Sequence, residues 1–336
     1  MKQKHISIIS LFILGLLTTG CGRQPNTTNS NSTVVPVTPL QKVTLLLDWS
    51  PNTNHTGLYV AQDQGYYQEE GLDITLLQPD ESSNTKLVAT GKANFAISAQ
   101  ESVTQARAED IPVVSIATII QHNTSAFASL KSANILSVKD LEHKRYGGWG
   151  TPIEEAVLTA VMNDAGADFK KVTNVSIGDM DFLSTIGRTA DFEWIFYGWE
   201  GINAEINNIP LNYIFLSDLK PVLDYYTPVI ITNEDHINNQ SDLVKKFMRA
   251  TSKGYEFAIG HPDEAGEILL KAVPELNRDL VKKSQAWLSP RYKAEATKWG
   301  IQQSSVWKGY AEWLNEHKLI TKLTDPNESF TNNFLP

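Results

Sequence analysis

The chain predicts an α/β fold in two units, on three observations. Short apolar runs rich in β-branched residues and leucine alternate with helix-length amphipathic segments. The alternation runs through once, breaks at the polar stretch Gln121-His122-Asn123-Thr124, and starts again. The length of 336 residues exceeds what one hydrophobic core usually supports, and 41% hydrophobic content is enough to fill two.

In the first unit, 43–47 reads as a buried strand ending at the turn Asp48-Trp49-Ser50-Pro51, and 58–68 as a helix closed by Gly71. A strand at 72–77, a helix at 83–90, a strand at 95–98 running into a helix from Gln100, and a strand at 112–120 follow. Strands separated by helices of this length imply parallel pairing through right-handed crossovers. In the second unit, 138–142 is a short helix, 145–148 a strand, and 152–165 a helix with Pro152 in its first turn. Strands at 172–177, 192–196 and 211–216 flank a helix at 182–187. After a strand at 228–232 the tail is helical, at 243–260, 263–273, 278–287 and 305–316.

Ahead of these units, Lys2 and Lys4 precede an apolar run at 6–17 and then Thr18-Thr19-Gly20-Cys21, the pattern of an export signal. The run is shorter than the roughly 20 residues a membrane-spanning helix needs. Cys21 is the only cysteine, which excludes an intrachain disulfide, a thiolate zinc site and a cysteine-ligated iron-sulfur cluster. Small residues ending in Cys resemble a bacterial lipoprotein signal, although Thr18 stands where leucine is usual. That reading makes 1–20 the signal peptide and Cys21 the acylated residue that meets the lipid bilayer; in an ordinary secretory signal Cys21 would be incidental. Residues 21–41, rich in Asn, Thr, Ser and Pro, read as a flexible tether. With 29 basic against 38 acidic residues and a net charge of −9, nothing draws the chain to nucleic acid.

Ligands of open α/β sheets bind outside the carboxyl ends of the strands. That rule selects Trp49 with Asn54 and His55, then Ser98, Gln121, Gly150 with Thr151, and the run Tyr197-Gly198-Trp199-Glu200. Gly147-Gly148-Trp149-Gly150 matches neither the dinucleotide fingerprint nor the P-loop, so Gly150 and Thr151 are read as offering backbone or hydroxyl groups to a solute. The seven histidines show no paired metal spacing, and neither a metal nor a cofactor is expected.

Four stretches carry a resemblance: Leu47-Asp48-Trp49-Ser50-Pro51-Asn52-Thr53-Asn54-His55-Thr56-Gly57, Gly65-Tyr66-Tyr67-Gln68-Glu69-Glu70-Gly71-Leu72-Asp73, Gly91-Lys92-Ala93-Asn94-Phe95-Ala96-Ile97 and Ile195-Phe196-Tyr197-Gly198-Trp199-Glu200-Gly201. Over most of 43–272 the chain resembles bacterial periplasmic-type solute-binding proteins related to thiamin-pyrimidine synthases, and within them the formylaminopyrimidine-binding lipoproteins of thiamin salvage. The resemblance implies a periplasmic-binding-protein-like (type II) fold: lobe one from 42–122 plus 230–336, lobe two from 123–229, and a hinge and ligand cleft between them. It also implies an aminopyrimidine ligand, an ABC permease with its cytoplasmic ATPase as partners, an extracytoplasmic, lipid-anchored location, and a monomer.

A flat heteroaromatic ring is held well between aromatic faces. Trp49 from lobe one and Tyr197 from lobe two are the expected pair, with Trp199 crowding the same face, and Glu200 is expected to accept from an exocyclic amine. Asn54 is read equally as ligand contact or helix cap, and Ser98 and Gln121 are candidates by position. His55 raises an enzyme reading, because the related eukaryotic pyrimidine synthases have a histidine at the corresponding place. Those enzymes also carry a cysteine-rich, iron-associated motif, and the corresponding Asp224-Tyr225-Tyr226-Thr227-Pro228 has no cysteine. A sibling solute such as a sulfonate or nitrate-like anion would favour Arg or Lys in the cleft, whereas Glu200 would repel it.

Overall fold

A computed structural model describes residues 39–78, 83–178 and 180–336. The expected signal peptide, Cys21 and most of the tether lie outside the described residues. Two five-stranded sheets organise the rest. The first has the order β2-β1-β3-β10-β4, built from β1 (Gln41–Leu46), β2 (Leu72–Leu77), β3 (Phe95–Ser98), β4 (Val113–Thr118) and β10 (Val229–Asn233). The second has the order β7-β6-β8-β5-β9, from β5 (Ser125–Leu130), β6 (Arg145–Gly148), β7 (Thr173–Ser176), β8 (Phe192–Phe196) and β9 (Leu211–Phe215).

Period-two alternation explains why β1 is a strand covered on both faces. Val43, Leu45 and Leu47 enter one core with Phe95, Ile97 and Phe247, while Leu46 turns to the opposite core with Ala96, Val229 and Trp307. The Phe95 and Phe247 rings stack at 3.8 Å. Helix Thr56–Asp63 crosses helix Ser241–Gly260 at glycine against glycine: a β-carbon on Gly254 would lie 2.0 Å from the Gly57 carbonyl oxygen, so only glycine permits this approach.

Two expectations are corrected. The sheets are mixed rather than parallel throughout: β10 runs antiparallel to β3 and β4, and β5 antiparallel to β8 and β9. Strand β5 was not anticipated, since Ser125-Ala126-Phe127-Ala128-Ser129-Leu130 is dominated by small residues and lacks a β-branched run. Both antiparallel strands are those with which the chain enters a lobe after crossing from the other.

The chain passes from the first sheet to the second between β4 and β5 and returns before β10. His122 and Asn123 in the outward crossing bind Asp224 in the return: His122 Nδ1 lies 2.6 Å from its carboxylate and the Asn123 N–H donates at 2.7 Å. The tail is shared between lobes. In helix Ser304–Glu316, Trp307 packs in a core of the first sheet, whereas Tyr310, Trp313 and Leu314 pack with Tyr146, Phe192 and Tyr225 in the second lobe. Among the described residues, no helix is long and apolar enough to cross a membrane.

Candidate ligand-binding site

A cavity of about 640 Å³ opens between the lobes at the carboxyl ends of β1, β3, β6 and β8. From the first lobe, Asp48 and Trp49 follow β1, Ser98 ends β3, and Ala99 and Glu101 follow it. From the second, Trp149 and Thr151 follow β6, and Phe196, Trp199 and Glu200 end and follow β8.

The turn after β1 is held by two side chains. Asn52 caps the next helical turn, its carboxamide oxygen accepting from the Asn54 N–H at 2.8 Å. His55 is fully buried; its Nδ1 accepts the Asn52 N–H at 3.2 Å, so the proton sits on Nε2 and is donated to Asp48 at 2.7 Å. His55 therefore fixes the Asp48 carboxylate at the cavity wall without lining it.

In lobe two, Glu154 organises the glycine-rich turn. Its carboxylate accepts from the Tyr146 hydroxyl and from the N–H groups of Trp149 at 3.1 Å and Gly150 at 3.2 Å. Gly150 has φ +89, and a β-carbon there would sit 2.8 Å from the Ser176 hydroxyl. This bend presents the Trp149 indole, which stacks parallel to Phe196 at 6.2 Å and tilts onto Trp194 at 5.8 Å.

The run after β8 is a single wide turn, Tyr197–Gly201, and it sends its two large aromatics different ways. Trp199 lines the cavity. Tyr197 is not among the lining residues: its ring packs on Tyr213 and Phe215 and against Trp287 of helix Arg278–Lys293, and its hydroxyl donates to Glu205. Of the two rings, Trp199 and not Tyr197 therefore faces the cavity, because the turn does not keep strand alternation and the two rings cease to share a face. Ser284 of the same helix bonds the Gly198 carbonyl and lies 2.5 Å from the Thr53 hydroxyl, tying this turn to the first lobe.

Of the residues selected from sequence, the structure brings Trp49, Asn54, Ser98, Thr151 and Glu200 together around the cavity. It places four elsewhere. Besides Tyr197 and His55, Gly150 commits its N–H to Glu154, and Gln121 is buried with its carboxamide donating to the Ile301 carbonyl at 3.1 Å. Sequence reasoning missed Trp149, Trp194, Glu154, Asn84 and Glu101, which also line the cavity. Two of these carried a usable signal: Thr151-Pro152-Ile153-Glu154 has capping-box spacing, and Trp149 sits between glycines just past a strand.

The electrostatics are one-sided. The described lining residues include the carboxyls of Asp48, Glu101, Glu154 and Glu200 and no Lys, Arg or His. Burial pushes Glu200 up to about 7, with the N–H groups of Glu200 and Phe196 drawing it partly back. Burial likewise pushes Glu101 up to about 7, against the opposing Tyr225 hydroxyl. Such a cavity accepts hydrogen bonds from a flat donor-bearing ligand and repels anions.

Residues 52–265 match the family described as NMT1/THI5 like. A formylaminopyrimidine-binding protein of Halalkalibacterium halodurans is 30% identical over 339 residues, 98% of this chain and 99% of that protein. A 4-amino-5-hydroxymethyl-2-methylpyrimidine phosphate synthase of Legionella pneumophila is 29% identical over 88% of this chain and 92% of that protein. In fold, the chain is similar to the alkanesulfonate-binding protein SsuA from Xanthomonas axonopodis pv. citri bound to MOPS, with a TM-score of 0.66 at 11% identity over 88% of this chain and 99% of that chain.

Proposed function

The chain belongs to the NMT1/THI5-like family, and from that premise we propose that it is the extracytoplasmic binding component of an ABC importer that captures a thiamin-precursor pyrimidine. The ligand is N-formyl-4-amino-5-aminomethyl-2-methylpyrimidine or a close analogue, gripped between the lobes and handed to a permease driven by a cytoplasmic ATPase. Trp49 and Trp199 stack on the ring, Glu200 accepts from one of its nitrogen substituents, and Asn54, Ser98 and Thr151 complete the polar contacts. Acylated Cys21 holds the protein at the membrane.

The observation that carries this reading is the lining itself, with aromatic planes and four carboxyls and no basic side chain among the described residues. A sulfonate, a nitrate or a phosphate ester would meet carboxyls there and, among the described residues, no cation to offset its charge. The same point weighs against a pyrimidine phosphate synthase, as do the buried His55 ring, with both nitrogens engaged, and a sequence without cysteine at 224–228.

Titrating the purified protein with the formylaminopyrimidine should quench tryptophan fluorescence and raise the melting temperature, because a ligand that binds only the native state stabilises it. An alkanesulfonate should do neither. Silence toward every aminopyrimidine tried, or a response to the sulfonate alone, would overturn the reading.

A further inference from the structure

Two side-chain oxygens on the first lobe's wall have no partner among the described residues. Asn84, at the start of helix Asn84–Ala89, lines the cavity, and its Nδ2 donates to the carbonyls of Leu47 and Ile97 at 2.9 Å each. An amide oxygen would be repelled by those two carbonyls, so the orientation is fixed and Oδ1 is left enclosed and unpaired. Glu101, in the first turn of helix Gln100–Ala108, lines the same cavity with its carboxyl against the Tyr225 hydroxyl, and its Oε2 is also enclosed and unpaired. Enclosed acceptors without donors destabilise the protein that carries them, so this pair asks for a donor.

We propose that Glu101 and Asn84 form a second recognition edge of the cleft, reading both N–H groups of a primary amine attached to the ligand's ring. This rests on the aminopyrimidine reading and deepens it. The proposed ligand has two nitrogen substituents, of which Glu200 meets one; Glu101 and Asn84 meet the other, each taking one hydrogen. A ring bearing an oxo group in place of that amine would set lone pairs against both oxygens and be rejected. The groups around Glu101 reinforce this. Near it lie the hydroxyls of Tyr225 and Tyr310, and among the described residues the other ionisable groups lining the cavity are the acids Asp48, Glu154 and Glu200. Burial, which holds Glu101 at about 7, leaves its ionised form dependent on a donor that the ligand supplies.

Isothermal titration of the full-length protein with the formylaminopyrimidine and with its 4-oxo analogue tests the proposal. The wild type should prefer the amine by about a hundredfold or more. Glu101→Leu should weaken the amine at least about tenfold while leaving the 4-oxo compound unchanged or improved, so that discrimination narrows. Glu101→Gln, which keeps the shape should the leucine variant unfold, should show the same narrowing to a smaller degree. Full affinity and full discrimination in Glu101→Gln would overturn the assignment and leave the aminopyrimidine reading standing. Failure of the wild type to bind either compound would overturn both.

Discussion

The two walls of the cleft are built from different chemistry. The first lobe contributes polar side chains at the ends of its strands: Asp48 fixed by His55, Asn84 pinned to the Leu47 and Ile97 carbonyls, then Ser98 and Glu101, with Trp49 as the one aromatic among the described residues of that wall. The second lobe contributes Trp149, Trp194, Phe196 and Trp199, with Glu154 and Glu200 behind and beside them. Stacking supplies contact area to any flat ring with little rotamer entropy lost, whereas hydrogen bonds from rigid strand ends distinguish one ring edge from another.

If that division is right, the largest effect should come from the aromatic wall. Replacing Trp199 by alanine should weaken every planar ligand by on the order of tenfold without changing their order of preference, since base-aromatic stacking is worth about 1–3 kcal/mol per ring. A selective loss in competition titrations would break the comparison. A smaller effect separates the acids of the two walls. Glu101 and Glu200, one from each lobe, are both pushed up to about 7 by burial, while an unfolded glutamate titrates near about 4.3. Between those values the native state holds protons that the unfolded chain has released, so stability falls as pH rises through this window. The melting temperature of the ligand-free protein should drop by on the order of 5 °C from pH 5 to pH 8, and Glu101→Gln with Glu200→Gln should lessen that slope in scanning calorimetry, the remainder belonging to Glu193, which burial also pushes up to about 7. The smallest effect belongs to Tyr197→Phe, which loses only the hydroxyl bond to Glu205. Affinity should be unchanged and stability lower by about 1 kcal/mol or less; a tenfold loss of affinity would return Tyr197 to the site.

The sequence by itself determined the α/β class, nearly every strand, and the polar break where the chain changes lobes, because period-two and helical periodicities are local properties of side chains covered on both faces. It also located the cleft in outline, since Trp49, Asn54, Ser98, Thr151 and Glu200 follow strands whose ends converge there. Tertiary structure alone decided what depends on long-range partners. Whether Tyr197 or Trp199 turns inward is set by Trp287, Ser284 and Phe215, distant in the chain from the turn they shape or drawn from another strand. Trp149 becomes a wall of the site because Glu154 collects the N–H groups behind it, and only the fold buries the Glu101 carboxyl against the Tyr225 hydroxyl and leaves its Oε2 without a partner. An acid in the first turn of a helix is commonplace in a sequence; enclosure, which removes water as its partner, is what gives it meaning, and enclosure is made by the fold.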